Sequence, residues 1–270
     1  MSFHPRLSVN SICSMHQSLD EDLALWADLG IDHVGLITPK FDDPGWDAGR
    51  RAVVDAGLRV SSVSCYRDGI AESVEPTAGV GSGILYFPPG TAGAIPWEEA
   101  AESLCRETAP MVVRANELGV RLAVEPTNPL RTDVSFVHTV RDAVDLARMA
   151  DIAIVVDFYA SWYERNLEET VRKNIDVVAL VQICDYQLGT FDMPNRCAVG
   201  DGDIPVERLL GMVLDAGYQG AFDLEILGPR IEEDGYRAPI TRSLERASAM
   251  LDRLGASRSN LYRPVRSGED

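Results

Sequence analysis

Short apolar runs alternate along the chain with longer stretches of helical, amphipathic spacing. Strands are predicted at Leu7–Ile12, His33–Ile37, Arg59–Cys65, Gly83–Phe87, Arg121–Glu125, Ala153–Phe158, Val178–Cys184 and Ala221–Ile226. Most are rich in Val, Ile and Leu without strict alternation, as expected of strands covered on both faces. Helical patterns fall between them at Leu19–Leu29, Trp97–Leu118, Val140–Met149, Val206–Ala216 and Ile240–Leu254. Ser18 precedes the first, and Asp20, Glu21 and Asp22 fill its first turn, where negative charge complements the helix dipole. Gly30, Gly119, Gly217 and Gly255 stand where four of these helices should stop. The segments LGIDHVGL, AGLRVSSV, LGVRLAVE and AGYQGAFDLE repeat one order: helix end, glycine, one or two residues, strand. Such βα units predict an α/β fold, a single-domain (β/α)8 TIM barrel over residues 1–256, with an irregular C-terminal tail at 257–270. An open doubly wound sheet is the alternative, but no GxGxxG follows the first strand.

Composition narrows the classes of function. Apolar residues make up 46% of the chain, ample for a core, and 42 acidic against 25 basic side chains give a formal net charge of −17. That charge argues against nucleic acid as a partner, which calls for clustered cations. No apolar run reaches the length of a membrane span, and the start of the chain lacks the pattern of a leader peptide. The five cysteines are scattered and never spaced CxxC, so a reducing cytoplasm is the expected setting. A homo-oligomer is compatible with the pattern, because exposed apolar helix faces and packed ones read alike in sequence.

Candidate chemistry lies where the late strands end, the face on which such barrels build their sites. Glu125 follows RLAV, Asp157 follows IVV, Gln182 and Asp185 follow VALV, and Glu225 falls between Leu224 and Ile226. Any one of these carboxylates could cap a helix or pair with a surface Arg. Four successive strands bearing oxygen side chains at similar depth favour a cation that offsets the cost of burying them together. Oxygen donors suit Mn²⁺, Mg²⁺ or Co²⁺.

With AVEP, VVDFY, VQICD, RCAVGDGDIP and FDLEILGP the chain resembles the xylose isomerase-like superfamily of sugar and sugar-phosphate isomerases and epimerases, over nearly its whole length. The resemblance implies one divalent metal, Mn²⁺ first, held by Glu125, Asp157 and Glu225, with Gln182 at the position of the family's histidine ligand. It also implies that Arg196 holds oxygens of a small carbohydrate substrate. In the family's ketose epimerases a substrate-binding histidine follows the metal-binding Asp by three residues. Here that position is Ala160, which argues against a free-ketose 3-epimerase.

The expected activity is proton abstraction next to a carbonyl through a metal-stabilised enediolate, with Glu125 and Glu225 as acid/base pair. The outcome is isomerisation or epimerisation. The alternatives are a lyase that eliminates from an oxidised sugar or glycoside, and a non-catalytic ligand-binding barrel. Phosphodiester hydrolysis, also present in the superfamily, is disfavoured by the shortage of histidine and the acidic charge. Further candidate substrate contacts are His16, Asn128, Trp162 and Asp185. Each also has a structural reading: a satisfied polar group, Asn-Pro turn chemistry, rim packing and a solvated loop, respectively.

Overall fold

The computed structural model describes residues 3–258, so the expected tail lies outside the described residues except for Ser257 and Arg258. Eight strands close into one barrel: β1 (Leu7–Asn10), β2 (His33–Ile37), β3 (Arg59–Ser64), β4 (Ile84–Phe87), β5 (Arg121–Val124), β6 (Ala153–Asp157), β7 (Val178–Ile183) and β8 (Phe222–Leu224). All neighbouring pairs are parallel, and β1 closes on β8 with Leu7 opposite Phe222. All eight predicted strands are present, most a residue or two shorter than expected. The chain leaves the sheet where the polar residues of the mouth begin. After β1, for example, Asn10 accepts a hydrogen bond from Ile12 N–H (3.0 Å) and starts a tight turn over Ser11–Ser14.

The helices are α1 (Leu19–Leu29), α2 (Trp46–Asp55), α3 (Ile70–Gly79), α4 (Trp97–Glu117), α5 (Val140–Ala150), α6 (Phe158–Ser161), α7 (Leu167–Lys173), α8 (Val206–Asp215), α9 (Pro229–Asp234) and α10 (Arg237–Arg253). α1 begins at Ser18 with a reciprocal capping box to Glu21. Sequence patterning misses α2, α3, α6, α7 and α9. α2 follows Gly45 without a side-chain cap, α3 carries Pro76 inside it, and α7 is a short helix entered through the left-handed Asn166.

Side chains on a strand alternate between the barrel interior and the helix layer. Outward residues such as Val156, Val181 and Leu224 join the main core between barrel and helices. Inside, Tyr86, Ala123, Ala153, Val155 and Leu180 form a second, smaller cluster. Continuing that inward alternation by two residues carries Ala123 to Glu125, Val155 to Asp157 and Leu180 to Gln182. The period of two in the sequence is what stacks these three oxygen side chains above Ala123, Val155 and Leu180.

Candidate active site at the barrel mouth

At the C-terminal ends of the strands, Glu125, Asp157 and Glu225 converge: one carboxylate oxygen from each lies within 4.8 Å of the others. Asp157 and Glu225 are buried. Arg196 reaches in from the segment between β7 and α8. Its Nη2 is 3.1 Å from Asp157 Oδ2 and 3.1 Å from Glu225 Oε1, and its Nη1 donates to the Glu225 carbonyl at 3.0 Å. The guanidinium stacks on Tyr159, 4.5 Å from the ring centroid. Gly228 makes this approach possible: a Cβ there would collide with the backbone of Pro194 and Asn195, immediately before Arg196.

Gln182 is fully buried beneath these groups. Its Nε2 donates to Glu225 Oε2 and, at 3.2 Å, to the Tyr86 hydroxyl. The same hydroxyl accepts from Asn10 Nδ2 at 3.1 Å, and Asn10 Nδ2 also donates to Asp223 at 2.8 Å. Ser8 and Ser61 donate to Asp223 as well. A continuous polar line thus runs down the barrel from Glu225 through Gln182, Tyr86 and Asn10 to Asp223. Tyr86 and Asn10 escape the sequence reading because a Tyr in an apolar strand and an Asn at a strand end both read as ordinary structural residues. Only the inward direction of their side chains links them to the mouth.

Electrostatics follow from this crowding. Burial raises all three mouth carboxylates above the ordinary carboxylate range. Glu225 is pushed up to about 7, burial outweighing the opposing pull of Arg196. Glu125 is raised well above its ordinary value by burial first, with like-charge repulsion from Glu225 and Asp157 added to it. For Asp157 burial is again the largest cause, offset in part by Arg196 and by the Tyr159 N–H. One guanidinium therefore does not neutralise the cluster.

The donor set fits a divalent cation. Three carboxylates against one Arg leave a formal charge of −2, and the buried Gln182 Oε1 has no hydrogen-bond partner among the described residues. Three converging carboxylates and an unpartnered buried amide oxygen on a side chain that touches one of them match the ligand chemistry of hard, oxygen-seeking ions. The groups available to hold one are Glu125, Asp157, Gln182 and Glu225.

A cavity of about 330 Å³ opens above this cluster, lined by Glu125, Asp157, Arg196 and Glu225 and by loop residues that include Asn128. Asn128 Oδ1 also accepts from Leu130 N–H at 3.0 Å, so it serves the turn as well as the wall. The other expected substrate contacts lie elsewhere. Asp185 is buried with both carboxylate oxygens held by backbone N–H groups of Tyr186, Gly200 and Ile204 at 2.8–2.9 Å. It shapes the GDG turn, in which a Cβ at Gly202 would strike Asp185 itself. Trp162 lines a separate, larger depression of about 460 Å³ over α7 and α8, where no carboxylate cluster converges among the described residues. His16 is exposed on the rim, 3.1 Å from Glu232.

Known proteins agree with this architecture. No curated protein sequence matches the chain. Among solved structures, protein SMc04130 from Sinorhizobium meliloti 1021 superposes with a TM-score of 0.80 at 21% identity, over 92% of this chain and 98% of that chain. IolI protein, solved with a bound zinc atom, gives 0.79 at 15% identity over 93% and 100%. An L-ribulose 3-epimerase gives 0.76 at 15% identity over 93% and 95%. Identities this low show a common fold. A family model described as Xylose isomerase-like TIM barrel matches residues 23–253. With that match over most of its length and a closed eightfold parallel barrel, the chain belongs to the xylose isomerase-like TIM barrel family.

Proposed function

We propose that the protein is a divalent-metal-dependent isomerase or epimerase of a sugar or sugar derivative that removes a proton from the carbon next to a carbonyl. The observation that carries this reading is the convergence of Glu125, Asp157 and Glu225 in the wall of the cavity, with the buried Gln182 side chain held against Glu225 and its amide oxygen left unpartnered among the described residues. A divalent ion held there would supply positive charge to the oxygen that becomes negative as the proton leaves. Glu125 and Glu225 enter the cavity from β5 and β8, which are not neighbours in the barrel, so one can take a proton and the other return it. Return to the opposite face of the same carbon gives an epimer, and return to the adjacent carbon gives an isomer. Gln182 N–H fixes Glu225, while Arg196 fixes Glu225 and Asp157 together. The relationship to an L-ribulose 3-epimerase supports the class of reaction.

The test is incubation of the metal-loaded protein in D₂O with a panel of ketoses, 3-oxo sugars and sugar phosphates. Incorporation of deuterium at a single carbon adjacent to a carbonyl is expected. A panel that stays unlabelled throughout would contradict the reading.

A further inference from the structure

The cavity has two chemically different sides. β5 and β6 supply Glu125 and Asp157, with Thr127 and Asn128 just beyond. Two carboxylates with the Asn128 amide beside them suit this side to a ligand rich in oxygen. Around the barrel, β7, β8, β1 and β2 are consecutive neighbours. The cavity residues they contribute beyond Glu225 and Arg196 are mainly Ile12, Met15, Ile37, Met193 and Leu227, an apolar set broken by the Thr38 hydroxyl, while β3 and β4, between the two sides, add Ser64, Cys65, Tyr66 and Pro88. Met15 is 41% exposed, although a large apolar side chain gains by being covered.

We infer that the substrate is amphiphilic: a hydroxy-carbonyl unit that meets the carboxylates and Arg196, carried on an aryl or alkyl body that covers the Ile12–Met15–Leu227 wall. The inference rests on the proton-abstraction reading of the carboxylate side and adds what lies opposite it. A free polyhydroxylated sugar would turn hydroxyls toward this wall and lose their hydration without gaining partners. An aryl or alkyl group would displace the same water and be favoured in proportion to the area it covers.

The experiment is an NMR titration of the Mg²⁺-loaded protein with hydroxyacetone, 2-hydroxyacetophenone and D-fructose. The first two share one hydroxy-ketone and differ as methyl against phenyl. 2-Hydroxyacetophenone is expected to bind at least about fivefold more tightly than either of the others. Met15→Ser, at an exposed position that does not threaten folding, should reduce that advantage, and Leu227→Ser should reduce it further. A wild-type advantage under fivefold, a preference for fructose, no binding of any probe, or an advantage untouched by both variants overturns the inference. Deuterium exchange into the bound aryl ketone is scored separately. Tight aryl binding without exchange on any probe contradicts the proton-abstraction reading alone, and exchange into fructose without an aryl preference contradicts the amphiphilic substrate alone.

Discussion

The side-chain nitrogen of Gln182 donates to Glu225 Oε2, while the oxygen of the same amide is left without a partner among the described residues. One side chain therefore orients an acid/base candidate and offers a neutral oxygen to a cation. An imidazole at this position would present nitrogen, a softer donor. Gln182→His should shift the preference of the site toward Zn²⁺. In thermal unfolding of chelator-treated protein, wild type is expected to gain more from Mn²⁺ than from Zn²⁺, with the order reversed in the variant. An unchanged order would remove Gln182 from the ligand set.

Glu225 is buried, and its role requires a group that takes up and releases a proton. Glu225→Gln keeps its size and its contact with Arg196 but cannot exchange a proton. Turnover, read as deuterium incorporation, should fall by about 10²–10⁴-fold. The circular dichroism spectrum and a cooperative melt should persist. Full activity in the variant would exclude Glu225 as acid or base.

The Arg196 guanidinium bridges Asp157 and Glu225, and it is itself buried. Removing one partner of a buried ion pair leaves uncompensated charge and costs about 3–5 kcal/mol. Arg196→Met should show a loss of that order in urea unfolding without metal. A divalent ion should recover more stability in the variant than it adds to wild type. Equal metal responses would show that Arg196 and the cation do not offset the same charge.

His33, buried at the start of β2, provides a pH dependence remote from the mouth. Burial, reinforced by Arg59, lowers its pKa from 6.5 to about 4. The unfolded chain then binds a proton below pH 6.5 that the folded state refuses until about pH 4. The stability contribution of His33 is complete above pH 6.5 and is lost as pH falls toward 4, amounting to roughly 3 kcal/mol. Urea unfolding between pH 4 and 7 should show this slope in wild type, and His33→Gln should flatten it. Parallel slopes would refute the assignment.

The sequence reading and the structure part company at particular residues for physical reasons. Glu125, Asp157 and Gln182 were readable because each lies in register with the inward side chains of its strand. The reading extends to Glu225 through Asp223, two residues earlier on the same face. Asp185 lies beyond the end of β7, where strand alternation no longer dictates direction, and the GDG turn captures its carboxylate. Trp162 follows α6, a single turn absent from the sequence pattern, and that turn carries it to the outer surface. Tyr159, which supports Arg196, could be found only from the packing of two segments nearly forty residues apart.

The central claim is that Glu125, Asp157, Gln182 and Glu225 form a site for one divalent ion. Calorimetric titration of Mn²⁺ into chelator-treated protein tests it most directly. One ion bound per chain, with binding abolished in the Glu125→Gln/Glu225→Gln double variant, is the predicted result. No heat of binding together with no rise in melting temperature on adding Mn²⁺, Mg²⁺ or Co²⁺ would contradict it.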